Sequence, residues 1–252
     1  MKIGTNKILN NLEEKGLSSS EYIELSRKFY KNKKALDLKP LNIAFFSNYT
    51  LEFLEPFLNV NLAKKGFFLS ADYNTYGMIE QNIFNPTSKI YTKKFDIFFI
   101  DLKFEDIFPD FEISQIGLNQ DKADELLLNF EDYISNLLDN IRNNFKSYIF
   151  ISNFSSHVNN MYSILEQNLE ISKSDIIIRM NTLLIHTIKK YSMVYIYNYY
   201  SFTLNHGFSN IIDAKMSFFA DIPFKVEYQI KLSESFTQTI FSALLTPKKC
   251  LI

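Results

Sequence analysis

At 252 residues, 46% of them hydrophobic, the chain is long enough to bury a substantial core. Its 27 basic and 28 acidic residues leave a formal net charge of -1, which excludes the dense cationic surface that a polyanion partner requires, so no nucleic-acid partner is expected. The single cysteine, Cys250, excludes an internal disulfide framework, and His157, His186 and His206 stand at no metal-binding spacing.

The N-terminal residues Met1 to Lys7 contain no apolar signal-peptide core, and no run of about 18 uncharged apolar residues occurs, so a cytoplasmic protein without a membrane span is expected. The first forty residues read as a helical extension. Ser18 and Glu21 are spaced for a capping box, with Tyr22, Ile23, Leu25, Phe29 and Tyr30 following at broadly helical intervals. The basic run Arg27, Lys28, Lys31, Lys33 and Lys34 reads as solvated surface. Pro40 ends this extension.

Strand and helix patterns then alternate. Asn42 to Phe46 predicts a first strand; Thr50 is placed to cap a helix carrying Leu51, Phe53, Leu54, Phe57, Leu58 and Leu62 and ending at Gly66. Phe67 to Ala71 predicts a second strand and Phe95 to Asp101 a third, nearly continuous in apolar residues as in a sheet covered on both faces. An acidic segment with Asp106, Pro109, Asp110 and Glu112 follows, a candidate lid. Asp121 to Phe145 predicts a long helix, Tyr148 to Ile151 a strand, Asn159 to Asn168 and Ser174 to Lys190 two helices, and Met193 to Tyr197 a last strand. A short helical segment after Asp213, then Pro223, precedes an amphipathic stretch from Val226 to Leu245. Strands separated by helices imply right-handed parallel crossovers, hence a three-layer α/β/α sheet whose ligand site lies beyond the carboxyl ends of the strands.

Those ends carry Ser47, Asn48, Tyr49 and Thr50 after the first strand, Tyr76 and Gly77 after the second, and Asp101 after the third. Asn153 follows the fourth, and Asn198, His206 and Asp213 come after the fifth. Serine hydrolysis needs a nucleophile, an imidazole base, an orienting acid and oxyanion donors. Each candidate has two readings: Ser47 as turn former or nucleophile, Tyr49 as ligand platform or rim aromatic, His206 as loop residue or base, and Asp213 as orienting acid or helix cap. Asp101 and the acidic segment read as a hydrated loop more readily than as a metal site, since no paired Asp-x-Asp cluster is present. Tyr49, Tyr73, Tyr76 and Tyr199 form an expected aromatic rim, with Asn48, Asn153 and Asn198 supplying amides.

In their order and spacing over about residues 40 to 252, several segments carry a resemblance: Ile43 to Leu51, Tyr76-Gly77, Asn85 to Tyr91, Phe95 to Ile97, Ile151 to Phe154, Gly207, Asp213, Pro223-Phe224 and Lys248 to Ile252. The chain resembles the N-terminal domain of FkbH-like proteins, whose fold is similar to SGNH (GDSL-type) hydrolases and which continue into a haloacid-dehalogenase-type (HAD) phosphatase domain. The resemblance implies a flavodoxin-like or SGNH-like parallel sheet at 41–247, after an N-terminal helical extension at 1–40. Residues 248–252 then start a linker or the first strand of a HAD domain.

It also implies that the SGNH nucleophile falls at Tyr49 and its preceding Asp at Asn48. The glycine of the second block falls at Gly77, the oxyanion Asn at Asn153, the acid at Asp213 and the base at Met216. Tyrosine ionises near about 10 and methionine accepts no proton, so ester hydrolysis through this pair is chemically implausible. Ser47, Asn48, Tyr76, Asn198 and His206 remain as possible ligand-binding residues. The function implied is that of a non-hydrolytic accessory domain assisting acyl, possibly glyceryl, transfer to an acyl carrier protein in polysaccharide or polyketide biosynthesis. The expected partners are the carrier or its phosphopantetheine arm and a C-terminal HAD domain. No cofactor is expected in this domain, and Mg2+ only in the HAD domain. The alternatives are an esterase or deacetylase using Ser47 with His206 or His157, and a structural domain that positions the HAD domain.

Overall fold

A computed structural model describes residues 16–33, 37–75, 77–109, 111, 118–155 and 168–244. The helix expected over Asn159 to Asn168, but for its last residue, lies outside them, as do His157, Tyr76, Asp110 and Glu112 of the candidate lid, and the residues from Leu245 onward. The elements, in chain order, are α1 (Ser19–Lys31), β1 (Lys39–Ser47), a 3-10 turn (Glu52–Leu54), α2 (Glu55–Lys64), β2 (Phe67–Tyr73) and α3 (Ile79–Phe84). A second 3-10 turn (Lys89–Thr92) leads to β3 (Ile97–Asp101), α4 (Phe104–Ile107), α5 (Gln120–Asn144), β4 (Tyr148–Ser152), α6 (Lys173–Ile188) and β5 (Val194–Tyr197). The remaining helices are α7 (Tyr199–His206), α8 (Phe208–Ile211), α9 (Ala214–Ala220) and α10 (Val226–Leu244).

The five strands are ordered β2-β1-β3-β4-β5, a parallel sheet flanked by helices and consistent with the expected three-layer, flavodoxin-like architecture. β3 pairs in parallel with β4, Ile97 opposite Tyr148 through Ile100 opposite Ile151, and β4 with β5, Ile149 opposite Val194 through Ser152 opposite Tyr197. Every residue of β3 is buried, which is why the run is apolar without alternation: helices cover both faces of such a strand.

By compactness the chain divides into one unit of Met1–Ala44, Tyr49–Tyr73 and Ile211–Ile252, and another of Phe45–Asn48 and Asn74–Asn210. In the first unit α1 begins with the expected capping box: Ser18 and Glu21 satisfy each other's backbone N–H groups. Its apolar face, Tyr22 and Phe29, packs on Phe57, Val60, Ala63 and Phe68. Thr50 does not cap α2. Pro56, whose ring fixes φ, is favoured in a first turn, so the helix starts at Glu55 after a 3-10 turn, and the Thr50 hydroxyl instead donates to the Ala220 carbonyl at 3.2 Å. Gly66, at φ +87, terminates the helix as expected.

Two buried amides on α2 tie this unit together. Asn61 accepts from the Tyr22 hydroxyl (3.2 Å) and donates to the Ser233 hydroxyl on α10 (2.8 Å), while Asn59 donates to Ser26 on α1 (3.0 Å) and accepts from the Leu69 N–H of β2 (3.4 Å). Both are nearly inaccessible, at 5% and 0% exposure, so every bond replaces one that water offers only to the unfolded chain.

The second unit is built on stacked aromatics. Phe46 stacks on Phe98 (6.0 Å between centroids) and Phe99 on Phe150 (6.5 Å), with Tyr197 tilted against Phe99 (5.5 Å). α5 starts at Asn119, whose side chain caps the Lys122 N–H at 3.1 Å, and runs for 25 residues.

Asn61→Ala removes the bonds to Tyr22 and Ser233 while leaving the Tyr22 hydroxyl its contact with Lys64, and is expected to lower unfolding free energy by about 1 kcal/mol in a denaturant titration. Burial, then the charge and hydrogen bond of Glu234, push the Tyr22 phenol up to about 12. An unfolded tyrosine ionises near about 10, so this contribution is complete below that pH and is lost as pH rises through the folded value. Tyr22→Phe should therefore flatten the alkaline fall in the denaturation midpoint.

Candidate functional site

Of the expected site residues, Tyr49, Asp213 and Met216 belong to the first unit; Ser47, Asn48, Gly77, Asn153, Asn198 and His206 belong to the second. Tyr76 lies outside the described residues.

In the first unit, Tyr49 is not a rim aromatic. It is 8% exposed, its ring edge-to-face with Phe224 at 5.7 Å, because the chain leaving β1 turns inward and needs an apolar anchor there. Phe224 is held by an antiparallel bridge to Ile212, and the Asp213 N–H donates to the Pro223 carbonyl at 2.8 Å. Asp213 is the N-cap of α9: its Oδ1 accepts the Met216 N–H at 2.9 Å. Asp213, expected from the resemblance at the acid position, thus holds the backbone of Met216, expected at the base position. Met216 is 40% exposed, followed by Phe218 and Phe219 at 83% and 73%. Asp221 closes α9 in the left-handed region, φ 50, and its carbonyl accepts the Thr50 N–H at 2.9 Å.

In the second unit, Ser47 is buried at the end of β1, and its N–H donates to Asn74 Oδ1 at 2.8 Å. Asn48 is half-buried; its Oδ1 is enclosed and has no hydrogen-bond partner, an uncommon state for a native acceptor. The Ser152 hydroxyl at the end of β4 is also enclosed and without a partner. Gly77 takes φ +66 in the turn after β2, and an added Cβ there meets nothing within 4 Å, so the glycine answers a backbone requirement and not a close approach.

Asn153, expected to offer its amide to an oxyanion, directs it instead to Asn198 Oδ1 at 3.1 Å, while its own Oδ1 accepts the Tyr200 N–H at 2.9 Å. Asn198 Oδ1 also accepts the Ser201 N–H at 3.0 Å. The two amides together satisfy first-turn N–H groups of α7, which would otherwise lack partners. α7 itself was not expected: its start, Tyr199-Tyr200-Ser201-Phe202-Thr203, is rich in residues of low helix propensity, although Asn198 and Gly207 bracket it as N-cap and C-cap. His206 is therefore the last residue of a helix and not a loop residue, its ring edge-to-face with Phe202 at 4.7 Å.

Asp101 also departs from expectation. It is 5% exposed, so it does not hydrate a loop, and the register that pairs Ile100 with Ile151 places it beside Ser152. Burial first, and then the negative charge of Asp101, hold the Tyr199 phenol far above its usual range. Among the described residues no three His, Cys, Asp or Glu side chains gather as metal ligands, and no helix is long and apolar enough to cross a membrane.

No protein-family model and no curated protein matches the sequence. The fold is similar to the crystal structure of the N-terminal part of the protein BF1531 from Bacteroides fragilis, which contains a phosphatase domain complexed with Mg. The TM-score is 0.76 at 16% identity, over 91% of this chain and 58% of that one. This chain therefore spans 58% of the length of that structure, and the likeness is one of fold. An acetyl xylan esterase, AlAXEase, aligns with a TM-score of 0.49 at 7% identity, over 79% of this chain and 100% of that one, too distant to carry an argument.

If Asp213 is a cap and not an orienting acid, Asp213→Asn, which keeps the acceptor, should unfold within a few tenths of a kcal/mol of the parent, whereas Asp213→Ala should lose about 1 kcal/mol. Asn153→Ala should cost about 1–2 kcal/mol in the same thermal or denaturant measurement, through loss of the α7 cap.

Proposed function

We propose that the chain is a non-hydrolytic SGNH-like accessory domain of an FkbH-like protein, assisting transfer of an acyl group, glyceryl among the possibilities, to an acyl carrier protein. A HAD-type domain of the same protein supplies the phosphatase-like chemistry and its Mg2+. The observation that carries the non-hydrolytic part is the Asp213 cap. The carboxylate aligned with the orienting acid is bonded to the Met216 N–H, and no imidazole follows it at the aligned position. Acyl transfer by a serine hydrolase requires the acid to fix an imidazole and the imidazole to take a hydroxyl proton, and neither the aligned Tyr49 nor Met216 performs those steps.

Support for the accessory role comes from the resemblance of the ordered segments and from a fold shared with a longer chain that contains a phosphatase domain. The amide rim narrows under this reading. Asn153 and Asn198 are engaged in capping, and Asn48 is left as the amide whose acceptor lacks a partner among the described residues. That acceptor is enclosed, so the amide N–H donors of a phosphopantetheine arm reach it only where the side chains over it move aside.

Two measurements test the reading. Turnover of short-chain nitrophenyl esters by the chain should equal the uncatalysed rate and be unchanged by Ser47→Ala; Ser47-dependent hydrolysis would sink the non-hydrolytic assignment. In calorimetric titrations the holo form of an acyl carrier protein should bind more tightly than the apo form. Asn48→Ala should weaken holo binding about tenfold, equivalent to about 1.4 kcal/mol, without lowering thermal stability. Equal affinity for both forms would remove the carrier from the proposal.

A further inference from the structure

The sheet has one place where its connections part. With the order β2-β1-β3-β4-β5, the chain leaves β1 for β2 on one side and returns to β3 on the other, from which it continues outward through β4 to β5. In open parallel sheets the connections diverge at such a boundary, and the crevice left outside the carboxyl ends of the two strands is where ligands lie. Here β1 ends at Ser47, followed by Asn48, and β3 ends at Asp101.

The polar groups at this end of the second unit share one face of the sheet. Residues opposite each other on parallel neighbours project the same way, on strands about 4.8 Å apart. The register that sets Ile100 against Ile151, and Ser152 against Tyr197, therefore aligns Asp101, Ser152 and Tyr197 across three strands. One layer below, Phe99 stacks on Phe150 at 6.5 Å and Phe45 tilts against Phe99 at 5.9 Å, which brings the end of β1 to the level of Asp101. Asp101 is 5% exposed and Ser152 2%.

Among the described residues three enclosed side-chain atoms have no hydrogen-bond partner, and two of them, Asn48 Oδ1 and Ser152 Oγ, belong to the strands on either side of Asp101. The third, Arg142 Nε, is at the far end of α5. A buried polar atom left bare costs its full desolvation, so two flanking one buried carboxylate mark a place fitted to a donor. The carboxylate and the amide oxygen only accept, and the hydroxyl accepts or donates. An anion is repelled by Asp101. A neutral diol supplies two donors and leaves the carboxylate charge uncancelled. A primary ammonium supplies three donors, one for each oxygen, and the opposite charge where burial makes a charge costly.

We propose that the carboxyl ends of β1, β3 and β4 hold a binding site for the primary ammonium group of a small amine, its N–H donors taken by the Asp101 carboxylate, the Ser152 hydroxyl and the Asn48 carbonyl oxygen. The floor of this site is enclosed. Tyr199, partly exposed at the start of α7 and within the field of Asp101, is the side chain that turns outward to admit the amine. The site needs no carrier protein. A carbonyl oxygen accepts two hydrogen bonds, so Asn48 serves it whether or not a carrier's arm supplies the other donor.

The probe is methylamine, which like a lysine side chain is protonated at pH 7. A ligand of two heavy atoms binds with a Kd of about 10 mM at best, so about 100 mM methylammonium chloride should raise the Tm of the whole chain by about 4 °C over sodium chloride at equal ionic strength, and the rise should saturate. Tetramethylammonium, which carries the charge but no N–H, should give no rise. Ser152→Ala removes a hydroxyl that has no partner, so Tm without amine should hold or increase slightly while the Kd for methylammonium rises about fivefold. Asp101→Asn should raise that Kd at least about tenfold. A parent Tm that methylammonium leaves unmoved would show that fixed water occupies the place and would overturn the proposal. An equal rise with tetramethylammonium, or a Kd that Ser152→Ala leaves unchanged, would overturn it as well. No carrier protein enters these measurements, so their outcome is independent of the carrier titrations.

Discussion

The structure depends on the burial of β3 on both faces. Its five residues, Ile97 to Asp101, are all buried, and a strand in that position confines its polar group, Asp101, to its carboxyl end. Parallel neighbours follow, each reached through a helical crossover, and polar side chains are displaced to the ends of strands, where backbone groups also run out of ladder partners. The ends of the strands are therefore both the place where chemistry is possible and the place where the fold has unmet hydrogen-bonding needs.

In this chain the second demand is met by the residues that the first would use. An oxyanion donor and an N-cap both call for a short polar side chain beside backbone N–H groups, and the same Asn or Asp serves for either. Asn153 and Asn198 are directed to the first turn of α7, and Asp213 to the first turn of α9. Tyr49 becomes part of the apolar packing with Phe224. Among the described residues, the Asn48 acceptor and the Ser152 hydroxyl at the strand ends, like Arg142 Nε elsewhere, are enclosed and without a partner.

The first unit shows the same economy in its core. Asn59 and Asn61 sit on a helix whose buried positions run continuously from Phe57 to Ala63, so amphipathic periodicity does not betray them as interior residues. They are tolerated because each finds partners on two other elements, and by doing so they fix how α1 and α10 rest on α2. Apolar side chains of similar volume would fill the space without specifying one arrangement.

The strands and long helices were legible because their signals are local: β3 and β4 as unbroken apolar runs, α5 as a 3.6-residue period behind Asn119, and α1 as a capping box at Ser18 and Glu21. α7 was not, because tyrosine and threonine favour extended chain until Asn153, distant in sequence, supplies a hydrogen bond to the helix start. By itself the sequence determined the alternation of strand and helix, and with it the three-layer class, since hydrophobic period is a property of neighbouring residues. Only the tertiary structure decided that Asn153 is engaged by Asn198 and Tyr200, and that Tyr49 is buried. Each of those outcomes is a choice among partners brought together by the fold, and a hydrogen bond or a ring contact exists only once both partners are in place.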